Sequence, residues 1–80
     1  MTKIEAKQSR AARSLLGWNQ QKLANAAGVA MATVQFFEAD KRTPIPNNLA
    51  AIVRAFEEAG VEFLPARNGR GVGVRLKDDK

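Results

Sequence analysis

The sequence has 80 residues, of which 13 are lysine or arginine and 8 are aspartate or glutamate, so its formal net charge is +5 at pH 7. This charge favours a polyanionic partner such as nucleic acid. The lack of cysteine and histidine excludes disulfides, zinc sites of the Cys/His type and catalysis by either residue. No apolar run approaches the roughly 20 residues of a membrane-spanning helix, and the N-terminus lacks the apolar segment of a signal peptide. We therefore expect a cytoplasmic protein.

The first predicted element is a helix from Ile4 to Leu16. Ala12, Leu15 and Leu16 are expected to supply most of its inner face. Trp18 follows this helix, and we expect its ring to pack across helix ends rather than to stack on a nucleic-acid base.

Two short helices joined by a tight turn are predicted next. Asn19 is the expected N-cap of the first helix, because its side chain can accept from unpaired N–H groups of the first turn. Gly28 is expected to end that helix, since the following turn often requires a positive φ. Apolar residues at helical spacing form the facing surfaces of the pair: Leu23, Ala24 and Ala27 on the first helix, Ala30, Val34 and Phe37 on the second, and Val29 at the corner. This layout is typical of a helix-turn-helix, whose second helix is offered to a partner.

A fourth helix is predicted after a loop that the prolines of residues 40–46 indicate. Asn47 or Asn48 is expected to cap this helix, which runs to about Ala59 and is ended by Gly60. Its apolar stripe comprises Leu49, Ile52, Val53 and Phe56.

The rest of the chain predicts a β-hairpin, with strands at residues 61–64 and 72–77 on either side of an Asn-Gly turn. The glycine-rich loop precedes a strand rather than a helix, so it does not fit a phosphate-binding motif. Residues 78–80 are expected to form a disordered tail.

The pattern L-G-W-N-Q-x-x-L-A-x-x-x-G-V-A-x-x-T-V-x-x-F-E-x-x-x-R-x-P, which begins at Leu16, resembles the lambda-repressor-like (Cro/repressor, xenobiotic-response-element) DNA-binding family. The resemblance extends from about Arg10 to Phe56. It implies a mainly α fold with a four-helix helix-turn-helix domain over residues 1–60, to which the C-terminal β-hairpin predicted from the residues is appended over residues 61–77. It also implies a homodimer that binds double-stranded DNA at a two-fold operator and regulates transcription, most simply by repression through operator occlusion.

In this family the second helix of the pair lies in the major groove. Carried over by position, the resemblance implies DNA contacts by Gln20, Met31, Ala32, Thr33, Gln35 and Phe36, with Lys41 and Arg42 at flanking phosphates. It also pairs Arg13 with Glu38 as a partly buried ion pair that holds the first helix to the third. The alternative is that these two residues are solvated surface charges.

The exposed positions of this helix depart from the family, because Met31, Ala32 and Phe36 are apolar and Ala30 replaces the usual Ser or Thr cap. Two interpretations remain. Apolar side chains can contact the methyl group of thymine while Gln35 or Gln20 hydrogen-bonds adenine. Alternatively, the apolar face binds protein, so that the chain is a protein-binding module or an antiactivator. The net charge, with Lys41 and Arg42, favours DNA.

An enzyme is not expected, since no nucleophile–base constellation is recognisable, and no cofactor or metal is implied.

For the hairpin, we expect Val72, Val74 and Leu76 to form an apolar stripe and the strand edges to invite pairing with another chain. We therefore hypothesise that the hairpin is the dimer contact. The competing hypothesis folds it onto the first or fourth helix of its own chain. A regulatory protein partner remains a further hypothesis.

Overall fold

The computed structural model describes residues 3–78, which form four helices followed by one two-stranded antiparallel sheet. In chain order the elements are α1 (Ala6–Leu16), α2 (Gln20–Ala27), α3 (Met31–Glu38), α4 (Pro46–Glu58), β1 (Val61–Leu64) and β2 (Gly73–Leu76). This arrangement confirms the predicted fold class of four helices with a C-terminal β-hairpin.

Helix α1 begins at Ala6 rather than at Ile4, because Glu5 and Gln8 form a capping box at its start. The Gln8 side-chain oxygen accepts from the backbone N–H of Glu5 at 2.8 Å, which satisfies an N–H group outside the helix. Ala12 is buried as predicted. The prediction for Leu15 is wrong, since this residue is 44% exposed; it lies on the side of α1 where the hairpin ends.

The helix pair α2–α3 has the predicted turn. The Asn19 side chain accepts from the backbone N–H of Lys22 at 2.8 Å, and Gly28 follows α2 with a φ of 71°, so both predictions are confirmed. Val34 and Phe37 are buried. Ala30 was expected on the inner face but is exposed, because it precedes the first turn of α3 as the N-cap.

Helix α4 begins at Pro46, so neither Asn47 nor Asn48 caps it, and that prediction is wrong. Proline suits the first helical position because its missing N–H would have no intrahelical partner there. The predicted apolar stripe is confirmed, since all four of its members are buried: Leu49, Ile52, Val53 and Phe56.

Phe56 lies at the centre of the core and is fully buried. The Trp18 ring stacks on it at a centroid distance of 5.8 Å, and the Phe63 ring meets it edge-on, also at 5.8 Å. Trp18, which lies between α1 and α2, therefore packs between helix ends, as predicted, and Phe56 links this connection and the hairpin to α4.

The hairpin packs against helices of its own chain, β2 against α1 and β1 against α4. Phe63 is paired with Val74, and both side chains pack against the core. The buried side chain of Gln8 donates to the backbone oxygen of Gly73 at 3.0 Å, which fixes the hairpin to α1. Leu76 is 39% exposed. Of the predicted disordered tail, residues 79–80 lie outside the described residues.

Candidate nucleic-acid interface

Helix α3 presents a mostly apolar face to solvent. Ala32, Gln35 and Phe36 are exposed, and Phe36 is 44% exposed despite its large ring. Met31 and Thr33 are half-buried, and Met31 packs partly against the core. The five α3 residues expected to face DNA therefore divide into three that are exposed and two that are half-buried.

The N-terminus of α3 carries no side-chain cap, because the N-cap residue is Ala30. The backbone oxygen of Ala30 accepts from Thr33 and Val34, but no side chain accepts from the first N–H groups of the helix. Such groups carry the positive end of the helix dipole and favour anions. The start of α3 is thus compatible with a nearby phosphate.

The loop between α3 and α4 is held against the end of α3 and carries two exposed cations. The backbone N–H groups of Lys41 and Arg42 both donate to the oxygen of Phe36, at 2.9 and 3.3 Å. The Arg42 guanidinium lies 5.5 Å from the centre of the Phe36 ring, a cation–π arrangement. Beside this pair is an open groove of about 260 Å³, where Ile45 is 64% exposed.

Behind the exposed face, Glu38 is buried at the end of α3, with only 4% of the residue exposed. Its carboxylate pairs with Arg13 at a closest distance of 2.6 Å, and the Arg13 Nε donates to both carboxylate oxygens at 3.1 and 3.0 Å. The ion pair that the resemblance implied is therefore present between α1 and α3.

Two more side chains complete this cluster, which we call the Glu38 cluster: Ser9, Arg13, Gln20 and Glu38. The Ser9 hydroxyl donates to Glu38 Oε2 at 2.6 Å, and Gln20 Nε2 donates to Oε1 at 3.1 Å. Outside the cluster, an Arg10 guanidinium nitrogen donates to the backbone oxygen of Glu38. Helices α1, α2 and α3 thus meet at one carboxylate.

Burial of the Glu38 carboxylate opposes its ionisation, but the hydrogen bonds from Arg13, Ser9 and Gln20 outweigh it, so the pKa of Glu38 is lowered from its usual value. The hydrogen bond with Glu38 in turn raises the pKa of Arg13. Both groups are therefore charged at neutral pH, as a buried pair must be to satisfy its partners.

Gln20 was expected to face DNA, but its amide nitrogen is engaged by Glu38 and the residue is half-buried. Sequence reasoning missed Ser9 and Arg10. The signal for Ser9 was its position four residues before Arg13, since residues at this spacing share one helix face. Nothing in the sequence pattern pointed to Arg10 at the end of α3.

The architecture and the exposed second helix of the pair define a helix-turn-helix protein. A helix-turn-helix family model matches residues 10–63, which is more than half of the chain. The chain therefore belongs to this family, of the lambda-repressor-like type, and is a DNA-binding regulator of the helix-turn-helix type. No curated protein matches the sequence significantly. None of the helices within residues 3–78 has the length and apolar character needed to span a bilayer.

Proposed function

We propose that this chain binds double-stranded DNA sequence-specifically through α3 in the major groove and represses transcription by occluding its operator. The observation that supports this most is the contrast between the two sides of α3. Its rear is fixed by the buried carboxylate of Glu38, while its front is exposed beside Lys41 and Arg42. A rigidly held helix with flanking cations suits a reader of base edges positioned by phosphate contacts.

The exposed side chains suit sites that contain A·T pairs. Gln35 can form two hydrogen bonds with adenine, while Ala32 and Phe36 can contact the methyl group of thymine. Lys41 and Arg42 would contact phosphates, so they contribute affinity but little sequence preference. We propose that Gln20 acts on binding through Glu38, by positioning α3.

The test is a fluorescence-anisotropy titration with duplexes selected from a random library, and with DNA upstream of the chain's own gene. Gln35→Ala should reduce discrimination at one position by about 1–3 kcal/mol. Lys41→Ala and Arg42→Ala should weaken all duplexes alike, and each should flatten the log–log salt slope by about 0.9 per bound protomer. Arg54→Ala, which removes an exposed charge from α4, is the control and should have a smaller effect. Failure to bind any duplex at low salt would contradict this function.

We further propose that the protein binds its operator as a homodimer, because a two-fold site requires two recognition helices about 34 Å apart. Val74 packs on its own core and Val72 is half-buried, which leaves Leu76 as the most exposed member of the predicted stripe. Leu76 lines a surface groove together with Leu15, and each strand keeps an edge without a strand partner among the described residues.

This dimer contact is tested by Leu76→Glu in the full chain. Charge repulsion across the two-fold axis should shift the mass measured by light scattering from dimer to monomer. It should also abolish the preference for a full site over a half-site. If the variant stays dimeric, the interface lies elsewhere.

A second candidate function is protein binding, and the groove beside α3 is the observation that favours it. Phe36 and Ile45 are exposed there at 44% and 64%, and large apolar side chains are frequent anchors at protein interfaces. In this case the chain would act as an antiactivator or respond to a regulatory protein. A chain that binds no duplex, but whose complex with a protein partner is lost in Phe36→Ala, would support this function instead.

A further inference from the structure

The tip of the β-hairpin places two arginines directly opposite each other. Arg67 and Arg70 exchange both backbone hydrogen bonds, at 3.0 and 2.9 Å. The two residues between them, Asn68 and Gly69, have φ values of 53° and 75°, as a type I′ turn requires. Residues that exchange both bonds point their side chains to the same face, with Cα atoms about 5.5 Å apart.

This placement is electrostatically unfavourable in the free protein, because like charges directly opposite each other on a hairpin destabilise it. Both tip arginines are exposed, and within residues 3–78 no carboxylate forms an ion pair with either. Further along the same hairpin the chain pairs opposite charges instead, with Arg75 and Glu62 at 2.9 Å. The tip therefore has the arrangement of a site for an anion with several oxygens, and arginine suits phosphate well.

The segment at the start of α1 adjoins both the hairpin and the loop after α3. Lys3, just before α1, lines a groove with Pro65 and Val72 at the tip end of the hairpin. The adjoining residues Ile4 and Glu5 line another groove with Lys41 and Arg42. The start of α1 thus lies between the two basic sites. The longest extent of the protein is 33 Å and one turn of B-DNA is about 34 Å, so a duplex extended by one turn beyond the operator is long enough to pass both sites.

We propose that Arg67 and Arg70 bind the phosphate backbone of the operator duplex outside the base pairs that α3 contacts. The hairpin is then a second DNA-binding element whose affinity does not depend on sequence. This inference rests on the proposed DNA-binding function and adds a second surface to it.

The experiment compares the full chain with its Arg67→Ala/Arg70→Ala variant on two duplexes. One duplex ends at the operator, and the other extends it by one helical turn on each side. Two lost phosphate contacts in each protomer should flatten the salt slope on the long duplex by about 1.8 per bound protomer, since each contact contributes about 0.9. Taking equal affinities at 1 M salt as the reference, the same relation gives roughly a tenfold loss of affinity at 0.1 M salt for each arginine. The long duplex should bind the wild-type chain more tightly than the short one, and the variant should lose this advantage.

Two controls separate charge from folding. Arg67→Lys/Arg70→Lys keeps both charges and should retain the salt slope, whereas Arg54→Ala removes one charge from α4 and should leave the advantage of the long duplex intact. The inference is overturned if the alanine variant matches the wild-type slope and affinity on the long duplex, or if the lysine variant loses as much as the alanine variant. In both outcomes the wild-type chain still binds, so the proposed function stands. A wild-type chain that binds neither duplex overturns both.

Discussion

Helices α2 and α3 have the same length of eight residues but are stabilised in different ways. Helix α2 is capped by its neighbours in sequence, by the Asn19 side chain at its start and by Gly28 at its end. Helix α3 has Ala30 and Ala39 at these positions and no side-chain cap at its start. Helices this short are not stable alone in water. The ends of α2 are therefore determined by residues next to it in the sequence, whereas α3 depends on contacts from α1.

Those contacts converge on Glu38 at the rear of α3. Ser9 and Arg13 donate to its carboxylate, and Arg10 donates to its backbone oxygen. Because the polar interactions that hold α3 to α1 are on its buried side, the exposed side chains of Ala32 and Gln35 take no part in them. These positions can therefore carry apolar or polar side chains that suit a binding partner.

The largest expected effect comes from breaking the ion pair that holds α3. Arg13→Ala should lower the free energy of unfolding by about 3–5 kcal/mol, because it leaves the buried carboxylate of Glu38 without its cation. Glu38→Ala should also destabilise, but by less, because the Arg13 side chain that it leaves unpaired is 19% exposed. The double variant should lose less than the sum of the two single losses. Urea unfolding measures all three. The Arg75–Glu62 pair is the matched control, since both residues are largely exposed; removing it should change stability little.

Strictly additive losses in the Arg13–Glu38 cycle would mean that the two side chains do not stabilise each other. Losses as small as those at the exposed pair would mean that the carboxylate of Glu38 is solvated, and α3 would then need another source of stability.

Acid should also weaken the interaction between Glu38 and Arg13, but should lower the free energy of unfolding less than the alanine substitutions do. Protonation removes the charge of Glu38 but leaves its side chain in place. The pKa of Glu38 is lowered in the folded protein, so its contribution to stability is complete above the usual glutamate pKa of about 4.3. It is lost as the pH falls through the folded-state value. Urea midpoints measured between pH 7 and pH 3 should decrease below about pH 5, and Glu38→Gln should flatten that decrease. An unchanged pH profile in Glu38→Gln would contradict this assignment.

The sequence predicted the features that depend on nearby residues. The Asn19 cap, the Gly28 turn and the apolar stripe of α4 follow from local spacing and are present. The predictions from the sequence were wrong where burial or a helix boundary depends on distant segments or on competing local signals. The exposure of Leu15 is decided by where the hairpin ends, and the start of α4 by Pro46 rather than by either asparagine. The role of Gln20 could not be predicted from its position, because only the fold brings it to Glu38.

Asn19→Ala should lower the free energy of unfolding by about 1 kcal/mol, since it removes the hydrogen bond from the N–H of Lys22. This loss is smaller than that at Glu38 because the freed N–H group is exposed to water. Asn47→Ala is a suitable control, because Asn47 is exposed in the first turn of α4 and does not cap it. Equal losses from the two variants would show that the Asn19 hydrogen bond contributes nothing specific.

The smallest expected effect comes from a substitution that gives α3 a side-chain cap of the kind that α2 already has. The backbone of Ala30 is extended, with φ −67° and ψ 145°, so a serine there needs no change of conformation to accept from the first N–H groups of α3. Ala30→Ser should raise the free energy of unfolding by about 0.5–1 kcal/mol, less than most native caps contribute, because α1 already holds the helix. Ala26→Ser provides the control, since Ala26 is exposed inside α2 and serine there should slightly destabilise it. If Ala30→Ser does not raise the free energy of unfolding, the uncapped N–H groups at the start of α3 do not limit the stability of the protein. The contacts of α1 with Glu38 are then the feature by which the stabilisation of α3 differs from that of α2.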